Sequence, residues 1–121
     1  MEVDHIVISV TNLDKSVKFY TAFLGKPKIT KFDASWNLGA TKLFLTKPYI
    51  KKHRKFDKNN LGLNHIALQV KSLTELKKLE AKLSKAKIKH SKIQPDKYNP
   101  KNLFLWFDDP DKIRLEFYLR Q

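Results

Sequence analysis

The chain has 121 residues, no cysteine, a formal net charge of +13 and 41% hydrophobic residues. This length fits one domain or two small, closely packed modules, and the lack of cysteine excludes disulfides, thiolate metal ligands and cysteine nucleophiles. No segment has the pattern of a signal peptide or of a membrane span, which predicts a soluble, cytoplasmic protein.

The first 46 residues predict a module with the element order βαβββ. A strand over about 3–10 alternates apolar and polar residues. A helix follows, capped at Thr11 or Asn12 and ending at Gly25, because its apolar residues recur at three- and four-residue spacing. Three short strands are then predicted near 28–33, 35–38 and 41–46.

Residues 47–62 form a longer basic connection without clear periodicity, which predicts a linker that can also cover a site. Its run Lys51-Lys52-His53-Arg54-Lys55 raises the hypothesis of nucleic-acid binding. The chain has only three arginines, however, and proteins that recognise nucleic-acid bases and phosphates use arginine in preference to lysine. We therefore predict a small anionic ligand and neither nucleic acid nor membrane as partner.

The second module, about 63–121, repeats the order βαβββ. Its first strand, over 63–70, leads to Ser72 with Glu75 three residues on, a capping box that predicts the start of a helix. Strands are predicted near 88–93, 102–107 and 113–119, with the turn Asp108-Asp109-Pro110-Asp111 before the last of them.

Each module carries a histidine at the same place in its first strand. Asp4-His5-Ile6-Val7-Ile8-Ser9-Val10 and Asn64-His65-Ile66-Ala67-Leu68-Gln69-Val70 align without a gap. Because side chains alternate along a strand, His5 and His65 should lie on the side of the sheet opposite the apolar residues beneath the helices. The same alternation places Arg114, Glu116 and Tyr118 on that side.

Two imidazoles and one carboxylate form a facial triad that leaves positions on a divalent ion open for water or substrate. We therefore predict a metal site at His5, His65 and Glu116. A lone strand histidine is more often a structural residue, and we interpret His53 and His90 as surface residues; repetition favours a ligand role for the other two. Glu116 and Tyr118 are the candidate catalytic residues. The sequence also predicts that further residues line a substrate pocket, namely Ser9, Trp36, Phe44, Gln69, Phe104, Trp106 and Arg114. The aromatic residues among them suit a core equally well.

Together, these motifs resemble the vicinal oxygen chelate superfamily, which includes glyoxalase I, fosfomycin-resistance enzymes, extradiol dioxygenases and bleomycin-resistance proteins. The resemblance covers nearly the whole chain and depends on four segments: Asp4-His5-Ile6, Phe19-Tyr20 with Leu24-Gly25, Asn64-His65-Ile66-Ala67, and Asp109-Pro110-Asp111 leading to Glu116-Phe117. It implies a single glyoxalase-like α+β domain of two βαβββ modules that form a cup-shaped mixed sheet, with helices on the outer face. It also implies the ligands His5, His65 and Glu116, and a homodimer in which His5 of one subunit meets the other two ligands of its partner.

The chain departs from the superfamily pattern at two positions. Phe44 stands where glyoxalase I has another glutamate, which argues against four-ligand glyoxalase chemistry, and Lys112 replaces the usual glycine after Asp-Pro-Asp. The resemblance implies an enzyme that uses Mn²⁺, Fe²⁺, Ni²⁺ or Zn²⁺ on a small, oxygen-rich, anionic substrate, as a lyase, isomerase, thiol transferase or dioxygenase. The alternative is a non-catalytic binding or sequestration protein of the bleomycin-resistance type.

Overall fold

The computed structural model describes residues 1–121 and divides into two compact units, Met1–Lys55 and Phe56–Gln121. Each unit contains one helix and one four-stranded mixed sheet in the order βαβββ. The predicted α+β class and the repeated element order are therefore confirmed. No helix is both long and apolar enough to cross a membrane.

The first unit consists of β1 (His5–Ser9), α1 (Leu13–Leu24), β2 (Lys28–Ile29), β3 (Asp33–Leu38) and β4 (Thr41–Thr46). Its strands lie in the order β1-β4-β3-β2, with β1 parallel to β4 and the other neighbours antiparallel. The helix starts at Asn12, whose side chain accepts a hydrogen bond from the Lys15 N–H at 3.0 Å. It ends at Gly25, whose φ of 83° is a left-handed conformation that glycine adopts at little cost.

The second unit has the same plan: β5 (His65–Val70), α2 (Leu73–Lys85), β6 (Gln94–Pro95), β7 (Leu103–Asp108) and β8 (Arg114–Leu119), in the order β5-β8-β7-β6. The prediction that Ser72 caps the helix is confirmed, because its hydroxyl accepts from the Glu75 N–H at 3.1 Å. The Glu75 carboxylate in turn accepts from the Lys71 N–H at 2.7 Å. These two hydrogen bonds fix the backbone between the end of β5 and the start of α2.

The helix of each unit packs on one side of its own sheet. Alternation along the strands places the largest apolar side chains on that side, where burial of apolar surface stabilises the fold by about 25 cal/mol per Å². The core residues of the first unit include Ile8, Val10, Tyr20, Phe23, Leu43 and Leu45, and those of the second include Leu76, Leu83, Leu105, Phe107, Leu115 and Phe117. We call the opposite side of each sheet the helix-free face.

The strand predicted near 88–93 is wrong. This segment makes only an isolated bridge between His90 and Phe107, and the strand β6 comes later and has two residues. The cause is a side chain that substitutes for the backbone: the Ser91 hydroxyl accepts the Trp106 N–H at 2.9 Å. A strand would satisfy this donor with a carbonyl group.

The strand predicted over 28–33 is also shorter in the structure, and β3 begins earlier than predicted. Thr30 and Asp33 close a turn through a backbone hydrogen bond of 2.9 Å and a side-chain hydrogen bond of 2.7 Å. The turn ends β2 at Ile29 and starts β3 at Asp33.

Lys112, which replaces the usual glycine, adopts a φ of 70° in the turn before β8. The turn is held by the buried Asp109, whose carboxylate accepts the N–H groups of Asp111 and Ile113 at 2.8 and 3.0 Å. This network keeps the left-handed conformation despite the Cβ of lysine. As predicted, the substitution leaves Glu116 on the expected side of β8.

Candidate functional site

His5 lies on the helix-free face of the first unit, at the start of β1, and its side chain is 54% exposed. Its Nδ1 atom is 2.6 Å from Oδ2 of Asp4. Because an ionised carboxylate only accepts hydrogen bonds, Nδ1 carries the proton in this pair. In the neutral ring, Nε2 is then the atom that presents a lone pair, as a metal ligand requires.

His65 has the matching arrangement at the start of β5 in the second unit. Its Nδ1 atom is 2.7 Å from Oδ1 of Asn64, and the amide nitrogen of Asn64 donates to the Lys58 carbonyl at 3.0 Å. Since that carbonyl can only accept, the amide oxygen must face the imidazole, and Nδ1 again carries the proton. Sequence reasoning missed Asp4 and Asn64, although each directly precedes a repeated histidine.

Glu116 lies on the helix-free face of β8, with its side chain 14% exposed, and its Oε2 atom is 3.7 Å from Nε2 of His65. Burial raises the pKa of Glu116 above its usual value, and the nearby His65 and Arg114 offset part of that rise. The carboxylate therefore lies where a further positive charge would stabilise its ionised form. Within the second unit, His65 and Glu116 form a pair of candidate ligands.

Arg114 is adjacent to His65 in the register of the parallel strands β5 and β8. Its Nε donates to Oδ1 of Asp108 at 2.6 Å, and its guanidinium lies 4.0 Å from the centre of the Trp106 ring. The aromatic ring and the carboxylate hold the cation in one orientation. Arg114 and Trp106 thus both lie on the helix-free face, as alternation predicts.

Tyr118 belongs to a separate hydrogen-bonded group on the same face. Its hydroxyl donates to the Asp96 carboxylate and accepts from the amide nitrogen of the buried Asn102 at 2.9 Å. The hydrogen bond to Asp96 raises the pKa of Tyr118 and lowers the pKa of Asp96. Phe104 stacks on the Tyr118 ring with centroids 6.3 Å apart. A phenol kept protonated in this way does not suit the role of a base, and its one O–H proton is already donated to Asp96.

Phe44 occupies the helix-free face of the first unit beside His5. The two rings meet edge to face with centroids 5.9 Å apart, and Phe44 is the register partner of Val7. Ala67 and Glu116 are the corresponding partners in the second unit. Phe44 is therefore the positional counterpart of Glu116. A cavity of about 600 Å³ next to His5 is lined by residues that include Val7, Lys31, Phe32, Phe44, Lys47 and Tyr49.

Trp36 does not lie on the helix-free face, contrary to the prediction. It is 5% exposed, its indole N–H donates to the Gly25 carbonyl at 2.8 Å, and its ring is 5.9 Å from that of Tyr20 in α1. The physical reason is the register between β3 and β4, which pairs Ser35 with Phe44 and pairs Trp36 with Leu43, a core residue on the helix side.

The other predicted positions are less closely connected. Ser9 and Gln69 are exposed at or near the ends of β1 and β5, where they pair with Thr46 and Tyr118. His53 is exposed, and the Nε2 atom of His90 is 2.9 Å from the Ser84 hydroxyl. Neither unit by itself brings together three His, Asp or Glu side chains that could hold a metal ion.

A model of the Glyoxalase/Bleomycin resistance protein/Dioxygenase superfamily matches residues 2–117. The chain belongs to this superfamily. Its matched segment includes both histidine strands and Glu116, so the resemblance noted from the motifs is confirmed for the family. A search of curated protein sequences gives no significant match.

Solved structures of the superfamily share the fold of this chain. A glyoxylase/bleomycin resistance protein/dioxygenase domain from Frankia sp. EAN1pec is 28% identical, with a TM-score of 0.83 over 100% of this chain and 93% of that one. The fosfomycin resistance protein FosX from Listeria monocytogenes is 15% identical, with a TM-score of 0.73 over 100% and 94%. A lactoylglutathione lyase from Agrobacterium tumefaciens is 15% identical, with a TM-score of 0.72 over 98% and 92%. Because the superfamily carries different activities on one fold, the activity must be argued from the site.

Proposed function

We propose that this protein is a metal-dependent enzyme of the vicinal oxygen chelate type, in which His5, His65 and Glu116 bind a divalent ion. The observation that carries the proposal is the matched pair of histidines, each held through Nδ1 by the preceding residue. The contact is made by an aspartate in one unit and by an asparagine in the other, and its presence in both supports a role that needs each imidazole to be oriented. Glu116, 3.7 Å from Nε2 of His65, supplies the carboxylate.

The donor set fits the ion. Two neutral imidazoles and one carboxylate suit Mn²⁺, Fe²⁺, Ni²⁺ or Zn²⁺, and three ligands leave positions for oxygen atoms of a substrate. The burial that raises the pKa of Glu116 also fits, because a nearby divalent charge favours the ionised carboxylate. When bound, the ion would polarise a substrate oxygen and stabilise negative charge that develops there.

Other residues near the proposed ligands would orient the imidazoles, shape the site and contact the substrate. Asp4 and Asn64 keep Nε2 of each imidazole available. Phe44, at the position that corresponds to Glu116, supplies no fourth ligand and gives an apolar surface beside His5. Tyr118 directs its one O–H proton to Asp96, so it would donate a hydrogen bond to a substrate oxygen by exchanging this bond for one to the substrate.

The first test is metal analysis of protein purified without a chelator, followed by Mn²⁺ titration of the wild type and of Glu116→Ala. We expect close to one equivalent per chain for the wild type and a loss of at least about 100-fold in affinity for the variant, since removing a ligand costs more than removing its support. Circular dichroism of Glu116→Ala checks that the fold is intact. Less than about a tenth of an equivalent, with no uptake of added metal, would favour the non-catalytic binding protein instead.

The reaction itself is tested by an activity screen of the metal-loaded protein over glutathione hemithioacetals, catechols and fosfomycin. Glu116→Ala is the negative control in each assay. Turnover of one class in the wild type and none in the variant would assign the reaction type. Metal binding with no turnover of any class would leave a metal-loaded binding protein as the better account.

We also propose that the protein is a homodimer in which His5 of one subunit joins His65 and Glu116 of the other. Mixing His5→Ala with Glu116→Ala subunits tests this arrangement, because a shared site is restored only when the intact residues come from different chains. Equilibrated mixtures should then regain about half a site per subunit pair when the exchange is random. Mixtures that bind no more metal than the separate variants would place all three ligands within one chain.

A further inference from the structure

Arg114 is fixed more firmly than a surface cation needs to be. Its Nε and Nη2 atoms donate to the two oxygens of Asp108 at 2.6 and 3.4 Å, and its Cζ atom lies over the Trp106 ring, 4.0 Å from the ring centre. The side chain is only 19% exposed. Loss of rotational freedom is costly for arginine, so a guanidinium fixed before any ligand arrives binds an anion at lower entropic cost.

Asp108 uses only one edge of the guanidinium. The contact through Nε and Nη2 leaves Nη1 with no hydrogen-bond partner in the structure. The edge formed by Nη1 and Nη2 can therefore still bind a carboxylate or phosphonate through two parallel hydrogen bonds. A lysine at this position would offer neither the second edge nor the flat surface that stacks on Trp106.

The position of Arg114 links this free edge to the proposed site. Arg114 is the register partner of His65, and Glu116 follows two residues later on the same face. The counterpart in the first unit is Lys42, which pairs with His5 and lies 5.8 Å from the Phe44 ring. Each proposed ligand histidine thus has a cation beside it, but only that of the second unit is a fixed, planar fork.

We propose that Arg114 is a specificity residue that binds a carboxylate or phosphonate group of the substrate, separate from the oxygens that approach the metal. The substrate class is then an acid whose anionic group is distinct from its two adjacent oxygen donors. This inference rests on the proposed function for its setting beside the metal ligands. The anion site itself consists of residues of one unit and can be tested without metal.

The metal-free protein is titrated with benzoate, phenylphosphonate and the neutral benzamide while the Arg114 Nε–H and Trp106 indole N–H signals are followed by NMR. Both anions should give saturable shifts at these two groups, and benzamide should not. Arg114→Met should weaken benzoate and phenylphosphonate binding about tenfold or more, monitored at Trp106, and Arg114→Lys should give an intermediate loss. The control Arg54→Met, which removes the same charge from an exposed position, should leave both affinities unchanged.

Two results would overturn the inference: no saturable shift at Arg114 and Trp106 in the wild type, or equal anion affinities in wild type and Arg114→Met. A purely structural Arg114–Asp108 pair predicts the second result together with a loss of stability. If Arg114→Met does not fold, the comparison is made with Arg114→Lys, which retains the charge. Anion affinity unchanged in that variant would equally contradict a role for the planar fork.

The metal-loaded protein separates the two proposals. With Mn²⁺ bound, wild type should prefer 3,4-dihydroxybenzoate over 3,4-dihydroxybenzamide about tenfold, because both carry adjacent hydroxyls but only the first carries the anion. Arg114→Met should lose this preference without weakening Mn²⁺ binding. Failure of the wild type to bind Mn²⁺ would reject the proposed function and leave the NMR titration to decide on Arg114. Normal Mn²⁺ binding with the preference intact in Arg114→Met would reject the role of Arg114 alone.

Discussion

The helix-free faces of the two units can be compared position by position, because the sheets have the same strand order and corresponding registers. In the first unit, Phe44 on β4 pairs with Ser35 on β3. In the second, Glu116 on β8 pairs with Trp106 on β7. Each pair has one aromatic residue, which lies on β4 in the first unit and on β7 in the second. The carboxylate lies on β8, whereas β4, the corresponding strand of the first unit, carries the aromatic ring at this position.

A second pair of positions differs in charge. Asn37 and Lys42 are register partners in the first unit, where the second unit has Asp108 and Arg114 joined by a 2.6 Å hydrogen bond. The two units thus share the strand order and the position of the histidine, while Glu116, the fixed Arg114 and Tyr118 all lie in the second unit. We expect the first unit to supply a histidine and apolar surface, and the second unit to supply the carboxylate, the fixed cation and the phenol.

Among the variants that compare the two units, the largest expected effect concerns the feature that both units share. Asp4→Leu and Asn64→Leu each remove the group that holds Nδ1 of a histidine. Each should lower Mn²⁺ affinity about 10- to 100-fold, as measured by calorimetric titration, because the imidazole is then free to rotate. Glu2→Leu, which removes a neighbouring exposed carboxylate, is the control and should bind Mn²⁺ as the wild type does. A normal affinity in both Asp4→Leu and Asn64→Leu would show that the histidines do not need this support.

A second variant removes the main difference between the units. Phe44→Glu places a carboxylate at the position that corresponds to Glu116 and loses the ring contact with His5. It should raise Mn²⁺ affinity about tenfold, since a fourth ligand, and the second anionic one, joins the site. It should also lower binding of substrate oxygens, because one position on the ion is then filled. Phe44→Leu is the matched control, and an equal affinity in both variants would place Phe44 away from the metal.

A smaller effect is expected in the cores. The Ser16 side chain in α1 is buried and its hydroxyl has no hydrogen-bond partner, whereas the corresponding position in α2 is the fully buried Leu76. Ser16→Ala should stabilise the protein by about 1 kcal/mol in urea unfolding, because it removes an unsatisfied polar group. Ser84→Ala in α2, where the hydroxyl lies 2.9 Å from His90, is the control and should give no such gain. A loss of stability in Ser16→Ala would show that its hydroxyl is satisfied.

The smallest expected effect depends on pH. Tyr118 donates to Asp96, whereas the corresponding residue of the first unit is Thr46. Because this bond lowers the pKa of Asp96 below the ordinary 3.8, its contribution to stability is present above that pH and disappears as the pH falls through the lowered value. Tyr118→Phe should therefore be less stable than wild type at pH 6, with the difference shrinking toward pH 3 in thermal unfolding. A difference that does not change over this range would contradict the assignment.

The sequence predicts most of the fold because alternation with Val, Ile and Leu is strong in β1, β5 and β8. The sides occupied by His5, His65 and Glu116 follow from that alternation alone. The capping box at Ser72 marks a helix start for the same reason, since it depends on neighbours along the chain. Local patterns of this kind determine local structure.

The predictions that are wrong depend on hydrogen bonds made by particular side chains. The turn at Thr30 and Asp33 ends β2 early and starts β3 early, and the indole N–H of Trp36 donates to the Gly25 carbonyl in the core instead of facing the predicted pocket. The Ser91 hydroxyl likewise replaces a strand carbonyl near His90. The orienting contacts of Asp4 and Asn64 were not predicted either, because a residue that precedes a histidine carries no periodic signal.

The most direct test of the account is anomalous diffraction at the manganese edge from crystals of the protein grown with Mn²⁺. We predict one peak per chain within direct coordination distance of Nε2 of His5, Nε2 of His65 and a carboxylate oxygen of Glu116. A peak bound by His65 and Glu116 without His5 would remove the first unit from the site. An ion bound by none of these three residues would contradict the central claim.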